Sequence, residues 1–195
     1  MTQKADHPEF KIVFVGNSIV GKTSIITRYS QNNFFADSQS TIALGLCSKV
    51  VETPHGTALM HIWDTAGQER YQSLVPVYSR GASVAVIVFD TSDPDGFAPV
   101  PEWVEKMRQD VAQDCKVIIV GNKIDLPQKI DREKSVEWAK KGGYPLMFAS
   151  ARSGYGINEL FGAITESFPS AKFSIRESPP INVKEKHQKD GSHCC

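Results

Sequence analysis

The chain has 195 residues, a size that fits one compact domain plus a tail. With 41% apolar and 23% charged residues, its composition is that of an ordinary globular protein, which excludes a collagen-like or wholly disordered chain. The 22 basic and 22 acidic side chains cancel, so the overall charge points to no nucleic-acid partner and any function must rest on a local site.

Residues 1–9 are polar and lack an apolar h-region, so a flexible N-terminus without a secretory signal is expected. Phe10 to Val15 is a short β-branched run ending at Gly16, the pattern of a buried strand entering a tight turn. From Lys22 onward, Ile25, Ile26 and Tyr29 stand at helical spacing. Phe34 to Ala43 has no period and reads as an exposed loop. Leu46 to Thr53 and Ala58 to Trp63 flank Pro54, His55 and Gly56, which predicts a hairpin and hence one antiparallel edge strand.

Downstream, apolar strands (Ser83 to Asp90, Lys116 to Gly121, Leu146 to Ala149) alternate with amphipathic helical stretches (Val100 to Asp114, Arg132 to Lys141, Ile157 to Ser167). That order predicts an α/β fold with a mostly parallel sheet. Right-handed crossovers then gather the loops at the strand C-terminal ends along one edge, where ligands bind. After Phe168 the composition shifts to Pro, Ser, Lys and Glu, so 10–168 is the expected domain and 169–195 a flexible tail. Cys47 and Cys115 are isolated and Cys194 and Cys195 come last, which gives no disulfide framework and fits a reducing compartment. The longest apolar run, Val84 to Phe89, is far short of the ~20 residues that span a bilayer.

Gly16, Asn17, Ser18, Ile19, Val20, Gly21, Lys22 and Thr23 form a P-loop pattern, with the helix residue Ser24 next. Its glycines let backbone N–H groups converge on phosphates, the helix N-terminus adds partial positive charge, and Lys22 adds a full one. Thr23 offers a hydroxyl to Mg²⁺, a hard cation that takes oxygen ligands. Alone, this motif says NTPase or kinase. A second segment runs from Leu59 through Trp63 into Asp64, Thr65, Ala66, Gly67, Gln68 and Glu69. There Asp64 is placed to help hold Mg²⁺, Gly67 to bring its N–H to a γ-phosphate, and Gln68 to orient the attacking water. Ser40 and Thr41, in the aperiodic loop, are candidates for the nucleotide site, with Thr41 a second hydroxyl ligand.

The base is read further on. Asn122, Lys123, Ile124 and Asp125 follow a strand at the same edge. A carboxylate at Asp125 accepts from both N1–H and the exocyclic amine of guanine, whereas adenine leaves it unpaired, and such mismatches discriminate strongly. Ser150, Ala151 and Arg152 follow the last strand, where a backbone N–H can donate to the guanine O6. Phe34 either packs on the base or ribose or tucks against the domain.

Taken together, GNSIVGKT, Thr41, DTAGQE, NKID and SAR resemble the Ras superfamily over about Phe10 to Phe168. WDTAGQERY, the terminal Cys194 and Cys195, and the run Tyr71 to Ala82 are similar to the Rab branch and its early-endosomal members. The resemblance implies a small G-protein fold with a six-stranded sheet and a GTP/GDP switch with Mg²⁺. It implies geranylgeranyl groups on Cys194 and Cys195, an effector triad at Leu46, Trp63 and Tyr78, and residence in cytosol and on the cytoplasmic face of endosomal or vesicle membranes. The implied partners are an exchange factor, a GTPase-activating protein, effectors, and a GDP-dissociation inhibitor or escort. Ala43, Leu44, Gly45 and Leu46 depart from the Rab pattern, Leu46 replacing an aromatic, while Ile19 is bulky for its position and Arg152 replaces the common Lys.

No inserted segment supplies an arginine finger, a group worth roughly 10³–10⁵ in rate, so slow intrinsic hydrolysis is expected. Two alternatives compete. One is a nucleotide-binding scaffold that hardly hydrolyses, favoured if Ile19 disturbs the loop; the other is a P-loop kinase, which would need an acceptor pocket and lid.

Overall fold

The computed structural model describes residues 7–35, 45–65, 75–111 and 114–174. In chain order the elements are β1 (Glu9–Val15), α1 (Lys22–Gln31), β2 (Gly45–Thr53), β3 (Gly56–Asp64), α2 (Val75–Ser79) and β4 (Val84–Asp90). They continue with α3 (Val100–Asp110), β5 (Lys116–Asn122), α4 (Arg132–Gly142), β6 (Leu146–Phe148), α5 (Ile157–Glu166) and α6 (Ala171–Ser174). The six strands form one sheet in the order β2-β3-β1-β4-β5-β6. All neighbours pair in parallel except β2 and β3, which form the expected antiparallel hairpin.

Period-two alternation along the central strands feeds two cores. Phe10, Ile12 and Phe14 of β1 and Val84, Val86 and Val88 of β4 join Ile25 and Ile26 of α1 and Leu160, Phe161 and Ile164 of α5. The intervening Val13, Val15, Ala85 and Ile87 join Val100, Trp103, Val104 and Met107 of α3. Because β1 and β4 contribute to both clusters, each has its two faces covered by helices, as a buried parallel sheet requires. The strand C-terminal ends then open into loops on one edge, with β1 running into Gly16, β3 ending at Asp64 and β5 at Asn122.

Three local differences from the expectation have physical causes. α3 stops at Asp110 rather than Asp114: its last core contact is Met107, and Val111 is already extended, its N–H donating to the Met107 carbonyl. α2 has no counterpart among the expected elements, because five residues carry too little periodicity to register. Finally, ordered chain continues past Phe168 into α6, where Phe173 lies 5.5 Å from the Phe10 ring and Phe10 stacks on Phe168 at 4.0 Å. Pro169 to Ser174, expected as the head of a flexible tail, therefore carries a side chain of the aromatic stack. Among the described residues no helix is long and apolar enough to cross a membrane.

Phe10 is fully buried between these two rings. Phe10→Ala should lower unfolding stability by about 3–5 kcal/mol, read as a fall in the denaturant midpoint with little change in slope.

Candidate nucleotide site

β1 delivers the chain into a left-handed turn at Gly16, φ 134°, where a Cβ would lie 2.2 Å from the Val88 carbonyl oxygen, so no other residue fits. The loop closes at Gly21, φ 96°, and α1 begins at once. Gly21, as N-cap, offers no side-chain cap, and the first turn of α1 holds no acidic residue. The positive end of the helix dipole is therefore met by no capping side chain and no first-turn carboxylate of its own helix, which suits a bound phosphate. Lys22 folds back over the loop, its Nζ donating to the carbonyls of Gly16 at 2.8 Å and Asn17 at 2.7 Å. Burial pushes its pKa down to about 8, with the Asp64 charge pulling the other way.

Asp64 ends β3 directly beside this loop. Thr23 Oγ1 donates to its Oδ2 at 2.6 Å, joining the two residues expected to share a cation. Its other oxygen, Oδ1, is buried with no hydrogen-bond partner among the described residues. Burial raises the Asp64 pKa, against the Thr23 hydrogen bond and the Lys22 charge. An orphaned carboxylate oxygen next to a hydroxyl is a fitting half-site for Mg²⁺. No group of three or more His, Cys, Asp or Glu that could hold a metal exists among the described residues. Thr41, the second hydroxyl expected at the cation, lies outside the described residues, and phosphate oxygens and water would supply further ligands, the usual division for this ion.

The base-reading residues meet on the far side of the P-loop. Ser150 Oγ donates to Asp125 Oδ1 at 2.6 Å, and Arg152 Nη1 lies 3.9 Å from Oδ2. Asn122, 1% exposed, donates from Nδ2 to the Val20 carbonyl at 2.9 Å and accepts at Oδ1 from the Ala151 N–H at 3.2 Å. It thereby links the phosphate loop to the base loop. Lys123 adopts a left-handed φ of 68° and pairs with Asp90 Oδ2 at 2.7 Å. Burial alone would raise the Asp90 carboxyl, but hydrogen bonds from Lys123 and Ser92 outweigh it and hold the group below its usual range.

Of the residues singled out in the sequence, the P-loop, Asp64, Asn122, Lys123, Asp125, Ser150, Ala151 and Arg152 are thus brought to one edge. Ser24 follows Thr23 on α1 and is half-buried. Phe34 is half-buried and packs against the core cluster that holds Phe10, Ile12 and Phe14. Leu46 is 59% exposed opposite half-buried Trp63, over which Lys11 sits 4.4 Å from the ring centroid. Ser40, Thr41, Gly67, Gln68, Cys194 and Cys195 lie outside the described residues, as does the Tyr78 side chain.

Several supports of the site are not among the residues that motif and spacing single out. Asp90 is readable as a carboxylate at a strand C-terminus. Thr65 Oγ1 donates to the Phe14 carbonyl at 2.6 Å, tying the segment after Asp64 to β1. Trp103 Nε1 donates to Asn17 Oδ1 at 3.0 Å, fixing the P-loop from α3. Neither of these last two carries a local signal, since each bond joins residues distant in the chain.

Asp125→Asn tests the base assignment. An amide offers one acceptor and one donor where guanine presents two donors, whereas xanthine presents N1–H beside a C2 carbonyl. The variant should lose about 100-fold in GDP affinity, the scale of a lost charged hydrogen bond, and gain affinity for xanthosine diphosphate, both measured by calorimetry. A family model described as the Ras family matches residues 11–170. Proteins of that kind bind GTP and GDP with Mg²⁺ and typically work with exchange factors, activating proteins and effectors. Because that match covers most of the 195 residues, the P-loop and the Asn122–Asp125 segment included, the chain belongs to the Ras family of small GTPases.

Proposed function

We propose that this GTPase is a Rab-type switch that hydrolyses GTP slowly and recruits effectors to the cytoplasmic face of endosomal or vesicle membranes. The observation that carries the switch is the Asp64 carboxylate, bonded to Thr23 on one oxygen and unpartnered on the other, at the point where β3 passes into Gly67 and Gln68. A residue that senses the cation is thereby continuous with the segment expected to sense the γ-phosphate, so loss of that phosphate releases the segment. Lys22 and the loop amides neutralise phosphate charge, Gln68 orients water, and Thr23 with Asp64 would hold Mg²⁺, which supplies further neutralisation.

Support for the Rab branch comes from the WDTAGQERY segment, the run Tyr71 to Ala82 and the paired terminal cysteines. The outer face of the β2–β3 hairpin, where Leu46 departs from the Rab pattern, supports effector docking rather than the branch: Leu46 opposite Trp63 and Val50 opposite Leu59 form two apolar rungs, with Leu46 59% and Val50 55% exposed. Exposed apolar surface of this kind marks a docking site. Geranylgeranyl groups on Cys194 and Cys195 supply two lipid chains, enough for stable anchoring where one is marginal. An escort such as a GDP-dissociation inhibitor then shields them in the cytosol.

A second reading, a guanine-nucleotide scaffold with negligible hydrolysis, draws on Ile19. That β-branched residue sits at φ 64° in the P-loop with its side chain 71% exposed. Single-turnover hydrolysis with an activating protein separates the two readings: acceleration of roughly 10³-fold or more supports the switch, and none supports the scaffold.

Gln68→Leu should trap the GTP form and Thr23→Asn the GDP or empty form, so pull-downs with the two should recover different proteins; identical sets would defeat the switch. Chelation of Mg²⁺ should speed GDP release from the wild type, and Asp64→Ala should release GDP fast whether or not the chelator is present, as stopped-flow fluorescence can measure.

A further inference from the structure

Arg28 lies in the body of α1, the helix whose first residue is Lys22. Its Nε donates to the Ala151 carbonyl at 2.8 Å and its Nη2 to the Arg152 carbonyl at 2.6 Å, while Nη1 reaches the Asn32 carbonyl at 3.2 Å. A Cβ built on Gly154, in the same turn, would lie 3.8 Å from its Cδ. A planar guanidinium can grip two successive carbonyls from one rigid fork, which a lysine ammonium cannot match.

What that grip controls follows from peptide planarity. A carbonyl and the next N–H share one plane, so fixing one fixes the other. The plane before Ala151 is held through its N–H by Asn122 Oδ1 at 3.2 Å, and the plane after it through its carbonyl by Arg28. Arg28 therefore sets the direction of the Arg152 N–H and, with Asn122, leaves Ala151 little freedom to turn. These amides belong to the loop expected to face the guanine O6.

We propose that Arg28 is a positioning residue for guanine recognition: it acts through the Ala151–Arg152 peptide plane to aim the Arg152 N–H at the 6-oxo group of the base. This deepens the guanine-site reading and rests on it. Lys22 and Arg28 stand about 9 Å apart along one helix at 1.5 Å per residue, so the phosphate grip and the base grip share a single rod. Ordering the start of α1 by phosphate then helps to order the base loop.

Arg28→Met keeps an unbranched apolar stem and removes every donor. Equilibrium affinities should be measured for GDP, for inosine diphosphate, which keeps the 6-oxo group, and for 6-thioguanosine diphosphate, which keeps the donors facing Asp125 but carries a weak sulfur acceptor at position 6. The expected result is a common loss of roughly three- to tenfold for GDP and inosine diphosphate, with less than about twofold for the thio analogue. Equal losses for all three ligands, as a merely structural role would give, or no loss for any, would overturn the proposal. Should the Met variant not fold, Arg28→Lys is measured on the same three ligands, where the unequal pattern again supports the proposal and equal or absent losses again overturn it. A wild-type protein that holds ADP as tightly as GDP would instead sink the guanine-site reading, and the inference with it.

Discussion

A single buried amide, that of Asn122, holds the site together. Its side chain bonds the Val20 carbonyl on the phosphate loop and the Ala151 N–H on the base loop, and its own carbonyl accepts from the Thr91 N–H at 3.0 Å and the Thr91 hydroxyl at 2.9 Å. Both polar atoms of the side chain have a partner, the condition under which a buried polar network rigidifies rather than weakens a fold. Removing it would strand partners that cost about 1–3 kcal/mol each to leave unpaired. The same amide explains Gly21, because a Cβ there would stand 2.3 Å from Asn122 Nδ2. Three segments far apart in the chain are thus mutually constrained, and the parallel register of β1, β4 and β5 is what brings them within reach.

Around that network the fold leaves two charges in poor surroundings. Lys22 and Asp64 are 5% and 6% exposed; burial pushes the Lys22 pKa down and the Asp64 pKa up. Burying a charge is costly unless it is paired and hydrogen-bonded. Among the described residues each is only partly compensated: Lys22 by two carbonyls, Asp64 by one hydroxyl with its second oxygen orphaned. The deficit is complementary to a polyanion arriving with a divalent cation, so folding bears the desolvation and binding relieves it. A protein built this way ties its stability to its ligand, because whatever binds only the native state stabilises it.

The sheet is legible in the sequence because α/β alternation has few solutions, and the motif residues because their chemistry demands glycine, lysine or carboxylate at fixed spacing after a strand. The supports are not. Arg28 reads locally as a polar helix residue, Trp103 as a core aromatic and Thr65 as a loop residue; each takes its role from a bond to a segment between 51 and 124 residues away. The C-terminal boundary expected near Pro169 falls short for a related reason. Composition turns polar there, yet the one aromatic Phe173 finds Phe10, a long-range contact that composition cannot register. In the same way α2 shows too few turns for periodicity to register.

Ile19 is the place where local preference and the fold disagree. A β-branched residue at φ 64° is out of its favoured region, at a cost of order 1–3 kcal/mol. The conformation persists because the loop is fixed on both sides: after Ile19, Val20 is buried with its carbonyl bonded to Asn122, and before it the Gly16 and Asn17 carbonyls are clamped by Lys22. Glycine would relieve the strain at no steric cost, since it enters the left-handed region freely. The strain leaves the backbone turn of the phosphate loop as it is and directs the side chain outward, where it is 71% exposed. A bulky apolar group at that rim contributes nothing to the core and crowds whatever approaches the loop from solvent.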